Sequence, residues 1–106
     1  MAGLPPPSQS ASDALGRVLV VDDEASLRRV FARVLENEGH TVVEAADGLQ
    51  AVEAVMKQQF DAILADIRMP GMTGIQLLRR VREHDQDVPV VLITGNPSID
   101  TAAQGL

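Results

Sequence analysis

The sequence predicts an α/β domain, a parallel β-sheet covered by helices on both faces. Three observations predict it. Two short apolar runs, Val18-Leu19-Val20-Val21 and Phe60-Asp61-Ala62-Ile63-Leu64-Ala65, have the composition of buried strands. Strand-like and helix-like patterns alternate along the chain with short connections, as in βαβ units. Both runs also end in acid, Asp22-Asp23-Glu24 after the first and Asp66 after the second. A chain of 106 residues that is 45% apolar has room for one core.

The elements follow in order. Residues 1–16 contain Pro5-Pro6-Pro7 and scattered serines but no Lys or Arg and no apolar segment, so they read as an extended or flexible tail and not as a signal peptide. The first strand is expected over 17–22. The helix after it places Leu27, Val30, Phe31, Val34 and Leu35 at the three-and-four spacing of one buried stripe and stops at Gly39. A weaker strand over 41–45 precedes Asp47, a suitable N-cap for a helix burying Ala51, Val52, Val55 and Met56. The third strand spans 60–65. Thr73 and Gln76 have the spacing of a capping box and open a helix whose inward positions are Ile75, Leu78 and Val81. The fourth strand, 90–93, is the most apolar and leads to Thr94-Gly95. Asn96 and Pro97 then suit the N-cap and first position of a further helix.

The bulk properties exclude several function classes. A formal net charge of -6 is the wrong sign for a nucleic-acid surface and gives no attraction to anionic membranes. No apolar stretch approaches the roughly 18 residues of a membrane span. The chain has no cysteine, hence no disulfide framework and no thiolate metal site, which fits a reducing cytosol.

The acids carry the functional signal. If the first and third strands are parallel neighbours, Asp22, Asp23 and Asp66 meet in one crevice at the strands' C-terminal ends. Like charges that close oppose one another's ionisation, and the usual relief is a raised pKa or a hard divalent ion such as Mg²⁺, which prefers oxygen ligands. Taken alone, Asp22-Asp23-Glu24 also fits a solvated helix N-terminus, and Thr94 fits an ordinary strand-end hydroxyl. Arg28-Arg29 and Arg79-Arg80 read as exposed helix faces.

An acidic pair ending strand one, a lone Asp66 ending strand three, Met69-Pro70-Gly71 just after it and Thr94-Gly95 ending strand four occur here in the order that marks one family. From about residue 17 to 106 the sequence closely resembles the receiver domain of two-component response regulators. The resemblance implies a flavodoxin-like, doubly wound sheet of order 2-1-3-4-5. It implies that Asp66 is the phospho-acceptor, attacking the phosphorus of a phosphohistidine on a sensor histidine kinase or phosphotransfer protein. Asp23 would bind Mg²⁺ directly, Asp22 mainly through metal-bound water, and the backbone carbonyl of Arg68 would complete the protein's share. Thr94 would hydrogen-bond a phosphoryl oxygen and act as the switch, with Gly95 leaving space for the group. The chemistry suits such a site, because phosphoryl transfer is catalysed mainly by positioning and electrostatics. The first helix's surface meets the kinase in this family, so the resemblance also implies a docking contribution from Arg28, Arg29 and Arg33.

The family pattern continues with a fifth strand, a Lys at its end and a fifth helix, none of which is present, and the only lysine here is Lys57. Residues 17–106 therefore read as a truncated receiver, with impaired phosphorylation and with the output domain outside this chain. An uncovered apolar fourth strand is expected to recruit a second copy by edge pairing or swapping. The expected location is cytoplasmic. Such a domain is a phospho-acceptor switch more than an enzyme. Two alternatives stand beside it: a phosphorylation-independent, receiver-like interaction module, and a Mg²⁺-dependent phosphatase with Asp66 as nucleophile. Phosphatases of the haloacid-dehalogenase type need a second acid two residues on, where this chain has Arg68.

Overall fold

The structure, a computed structural model, describes residues 16–93. The elements are β1 (Arg17–Val21), α1 (Ala25–Asn37), β2 (Thr41–Ala45), α2 (Gly48–Lys57), β3 (Ala62–Asp66), α3 (Gly74–His84) and β4 (Val90–Ile93). Every strand pairing is parallel, in the order β2-β1-β3-β4. The expected α/β architecture is thus present, with β1 and β3 as immediate neighbours. Expectations that fall on 1–15, and on Thr94, Gly95, Asn96 and Pro97, lie outside the described residues. Among the described residues no helix is long and apolar enough to cross a membrane.

β1 is central, which explains its unbroken apolar sequence: Val18, Leu19, Val20 and Val21 are all buried, because both faces of the strand are covered. Leu19 and Val21 join Ile63 and Ala65 of β3 in the main core, which α2 closes with Ala51 and Val52 and α3 closes with Leu77 and Val81. Val18 and Val20 turn to the opposite face, where α1 packs on β1 and β2 through the fully buried Ala32. On that same face Val20 is in register with Leu64, and Leu64 with Val91 of β4. Val91 is 50% exposed.

Local chemistry sets the helix ends. At the end of α1, Gly39 takes φ 100° while its N–H donates to the Glu36 carbonyl and that of His40 donates to the Leu35 carbonyl. This is the paired pattern that a glycine in the left-handed region allows. Asp47 caps α2 by accepting from the Gln50 N–H at 2.8 Å. Thr73 and Gln76 form both halves of the expected capping box.

The inward faces differ from expectation in four places. Val30 and Val34 are 57% and 56% exposed, and the seat of α1 is instead Ala32 with Leu27, Phe31 and Leu35 half-buried around it. Each valine lies two residues from Ala32, about 200° around a helix of roughly 100° per residue, and so faces away from the sheet. Ile75 is exposed for the same reason: it lies two residues from Leu77, which is fully buried while Leu78 is only half-buried. Met56, in the last turn of α2, is 64% exposed beside a groove of about 650 Å³. Strand boundaries move slightly. β1 stops at Val21, and β3 starts at Ala62 and includes Asp66, while the Asp61 side chain accepts the Arg17 N–H at 2.8 Å.

Candidate functional site

The register of the central strands builds the site. Val21 pairs with Ala65, so the next residue of each strand, Asp22 and Asp66, emerges at the same level on adjacent strands. Each aspartate then closes a small turn with its own backbone. Asp22 Oδ1 accepts from the Glu24 N–H at 2.9 Å, and Asp66 Oδ1 accepts from the Arg68 N–H at 3.0 Å. Asp and Asn side chains favour such bonds two residues on. One oxygen of each carboxylate is thereby used and the other is left over. Asp23, next along the chain, is exposed. One carboxylate oxygen from each of Asp22, Asp23 and Asp66 lies within 4.8 Å of the others.

Two of these acids are buried, Asp22 at 1% exposure and Asp66 at 8%. Asp22 Oδ2 is buried with no hydrogen-bond partner among the described residues. Burial, then the neighbouring charges of Asp66, Asp23 and Glu24, push the Asp22 carboxyl above its ordinary 3.8, against a lowering bond from the Glu24 N–H. A buried anion with an unsatisfied oxygen beside two further carboxylates is the donor set of a hard divalent cation, and Mg²⁺ fits it. No thiol or imidazole shares the cluster, so a softer metal has nothing to prefer here.

The raised Asp22 pKa yields a prediction with a definite sign. Above its native pKa the ionised side chain costs stability, and below the unfolded value of about 3.8 both states are protonated and the cost vanishes. Asp22→Asn, which keeps an oxygen for the Glu24 N–H, therefore raises the melting temperature of the metal-free protein at neutral pH. The gain shrinks to nothing as pH falls below about 3.8. Thermal melts with a chelator across pH check this, and a variant less stable than its parent at pH 7 contradicts it. Glu44 behaves oppositely. Its burial acts to raise its pKa, but hydrogen bonds and charge from Arg29 and Arg28 outweigh that and hold it below 4.5. Its contribution is present above about 4.5 and is lost as pH falls through the lowered native value.

The loop after Asp66 is folded back tightly. Gly71 has φ 83°, the Met72 N–H donates to the Pro70 carbonyl at 2.9 Å, and the Gly74 N–H donates to the Ile67 carbonyl at 2.9 Å. A Cβ on Gly74 would lie 2.6 Å from the Asp66 carbonyl oxygen and 2.9 Å from Ile67 Cα. The start of α3 is thus in backbone contact with the end of β3.

Of the residues singled out from sequence, Asp22, Asp23 and Asp66 come together. Arg68 lies beside them through its N–H. Thr94 and Gly95 lie outside the described residues. Arg28 differs from its expected exposed position: its side chain is 16% exposed, with Nη1 donating to the Asp22 carbonyl at 2.7 Å and Nε to Glu44 Oε1 at 3.0 Å. Arg29 pairs with the other Glu44 oxygen. Glu44 and Arg28 lie 16 positions apart, beyond any helical spacing rule. The available signal was a charged residue inside the apolar β2, following a helix with two adjacent arginines.

The response regulator receiver domain family matches residues 18–106. Sporulation initiation phosphotransferase F of Bacillus subtilis is 36% identical over 84 residues, covering 79% of this chain and 68% of that protein. The receiver domain of a sensor histidine kinase from Pseudomonas aeruginosa, solved with a magnesium ion coordinated in the active site cleft, superposes with a TM-score of 0.71. It is 34% identical, over 76% of this chain and 67% of that one. The response regulator TrrA of Thermotoga maritima, in complex with Mg²⁺ and BeF, has a TM-score of 0.73 at 31% identity, over 76% of this chain and 70% of that one. Other relatives are longer. This chain spans 40% of the transcriptional regulatory protein YkoG of Bacillus subtilis and 20% of the transcriptional regulatory protein ZraR of Klebsiella oxytoca.

Proposed function

Because the chain belongs to the response regulator receiver domain family, we propose that Asp66 accepts a phosphoryl group from a phosphohistidine on a sensor histidine kinase or phosphotransfer protein. The observation that supports this most is the convergence of Asp22, Asp23 and Asp66 at the C-terminal ends of two adjacent parallel strands. Asp22, Asp23 and Asp66, with the backbone carbonyl of Arg68, would hold Mg²⁺. The ion supplies positive charge that offsets the repulsion between these carboxylates and the incoming phosphoryl oxygens. Asp66 Oδ1 is held by the Arg68 N–H, which leaves Oδ2 to attack phosphorus. The P–N bond to the donor imidazole breaks as the O–P bond forms, and the freed imidazole nitrogen takes up a proton.

Thr94 and Gly95 complete the phosphoryl site in this reading. β4 ends at Ile93, which is in register with Asp66 and accepts the Ile67 N–H at 2.7 Å, and Thr94 is the next residue along the chain. The change is passed to an output element outside the receiver, and the location is cytoplasmic, where a phosphorylated donor would be met. Self-association is assigned to β4, by edge pairing or by swapping. β4 is an edge strand among the described residues, and Val91 on it is half-exposed.

Beryllofluoride with Mg²⁺ tests the reading, since it forms a stable mimic of the phosphorylated acid. Amide shifts clustered at residues 22–24 and 66–68 of the labelled protein are expected. The proposal is overturned if those amides stay unmoved at saturating reagent while the domain remains folded.

A further inference from the structure

Among the described residues, Arg28 is the basic residue whose side-chain hydrogen bonds reach the acidic pocket, and it does so without an ion pair to a carboxylate of it. Its guanidinium lies across the ends of two strands, bonded on one side to the Asp22 carbonyl and on the other to Glu44 of β2. The Arg28 backbone N–H also donates to the Glu24 carbonyl at 2.9 Å. Asp22 is therefore fixed at both ends of its backbone, since its N–H donates to the Ala45 carbonyl at 3.1 Å. Because a peptide unit is planar, holding the Asp22 carbonyl also sets the direction in which the Asp23 backbone leaves. This matters most for Asp23. Its carboxylate is exposed and has no hydrogen bond among the described residues, so only its backbone directs it toward Asp22 and Asp66.

We propose that Arg28, braced by Glu44, is a positioning residue for the cation site: it orients the Asp22–Asp23 peptide so that the Asp23 carboxylate joins those of Asp22 and Asp66. The inference rests on the reading of these acids as a Mg²⁺ site. A planar fork suits the task, because one guanidinium serves a carbonyl and a carboxylate in a fixed relative direction. A lysine is a point charge with rotatable donors and does not impose that fixed direction.

Simple electrostatics predicts the opposite of this role. Removing a cation beside a cation site would tighten Mg²⁺ binding, whereas loss of a positioning contact weakens it, typically by about 10- to 100-fold for groups supporting metal ligands. The experiment is titration of the full chain with Mg²⁺ alone, followed by backbone amide shifts, for the parent, Arg28→Gln, Arg28→Lys and Glu44→Gln. Arg28→Gln is expected to weaken binding at least tenfold. Arg28→Lys recovers part of the loss, whereas Glu44→Gln, whose lost negative charge would by itself weaken binding, is read by the Asp23 amide of the metal-free protein. In metal-free samples the Asp23 amide moves in all three variants, while the Leu77 and Val81 amides stay in place and report an intact core. Unchanged or tighter Mg²⁺ binding in Arg28→Gln overturns the proposal. Should the parent itself bind no Mg²⁺, the cation-site reading fails, and an Asp23 amide unmoved by Arg28→Gln overturns the positioning role separately.

Discussion

Asp66→Asn abolishes phosphoryl acceptance, the largest functional effect expected of any single change in this domain. The reason is chemical and local. Asparagine keeps an oxygen to accept the Arg68 N–H, so the turn after β3 survives. The amide has no anionic oxygen to attack phosphorus. The substitution also removes one of the charges that raise the Asp22 pKa, so the metal-free variant is expected to be no less stable than its parent at neutral pH. Intact-mass measurement after incubation with a small acyl phosphate and Mg²⁺ reads the result directly. The parent gains one phosphoryl group and the variant gains none. Equal uptake by both proteins would remove Asp66 from the role.

Gly74→Ala is expected to destabilise the fold and the site together. Alanine in a helix is ordinarily favoured over glycine by about 1 kcal/mol. Here the added methyl would meet the Asp66 carbonyl oxygen at 2.6 Å and Ile67 Cα at 2.9 Å, and both are backbone atoms that cannot rotate away. Relief requires α3 to lift from the end of β3, and overpacking of this kind costs about 1–3 kcal/mol. The expected outcome is a net loss of stability in denaturant melts with an unchanged m-value, accompanied by weaker Mg²⁺ binding because Asp66 moves with its backbone. An alanine variant as stable as the parent would show that the approach of helix to strand is looser than the structure has it.

Much of this was legible in the sequence. The parallel sheet follows from short apolar runs separated by helical periods, and the acid cluster follows from two neighbouring strands ending in aspartate. Thr73 with Gln76, and Asp47 before α2, announced their caps because capping depends on residues within one turn of each other. The buried helix faces were less legible. Val30, Val34 and Ile75 satisfy an apolar period as well as Ala32 and Leu77 do, and periodicity alone does not say which side of a helix meets the sheet. The small Ala32 is the residue buried completely.

Sequence by itself determined the strands, the caps and the arrival of Asp22 and Asp66 at one sheet rim, since these depend on near neighbours and on a pairing order with few alternatives. Tertiary structure alone decided that Asp22 keeps an unpartnered buried oxygen, that Gly74 must lack a side chain, and that Arg28 leaves solvent to join the Asp22 carbonyl to Glu44. The physical reason is common to all three. Desolvation, backbone contact and a hydrogen bond across 16 positions of chain depend on which distant atoms fill the space around a group, and no local pattern encodes that.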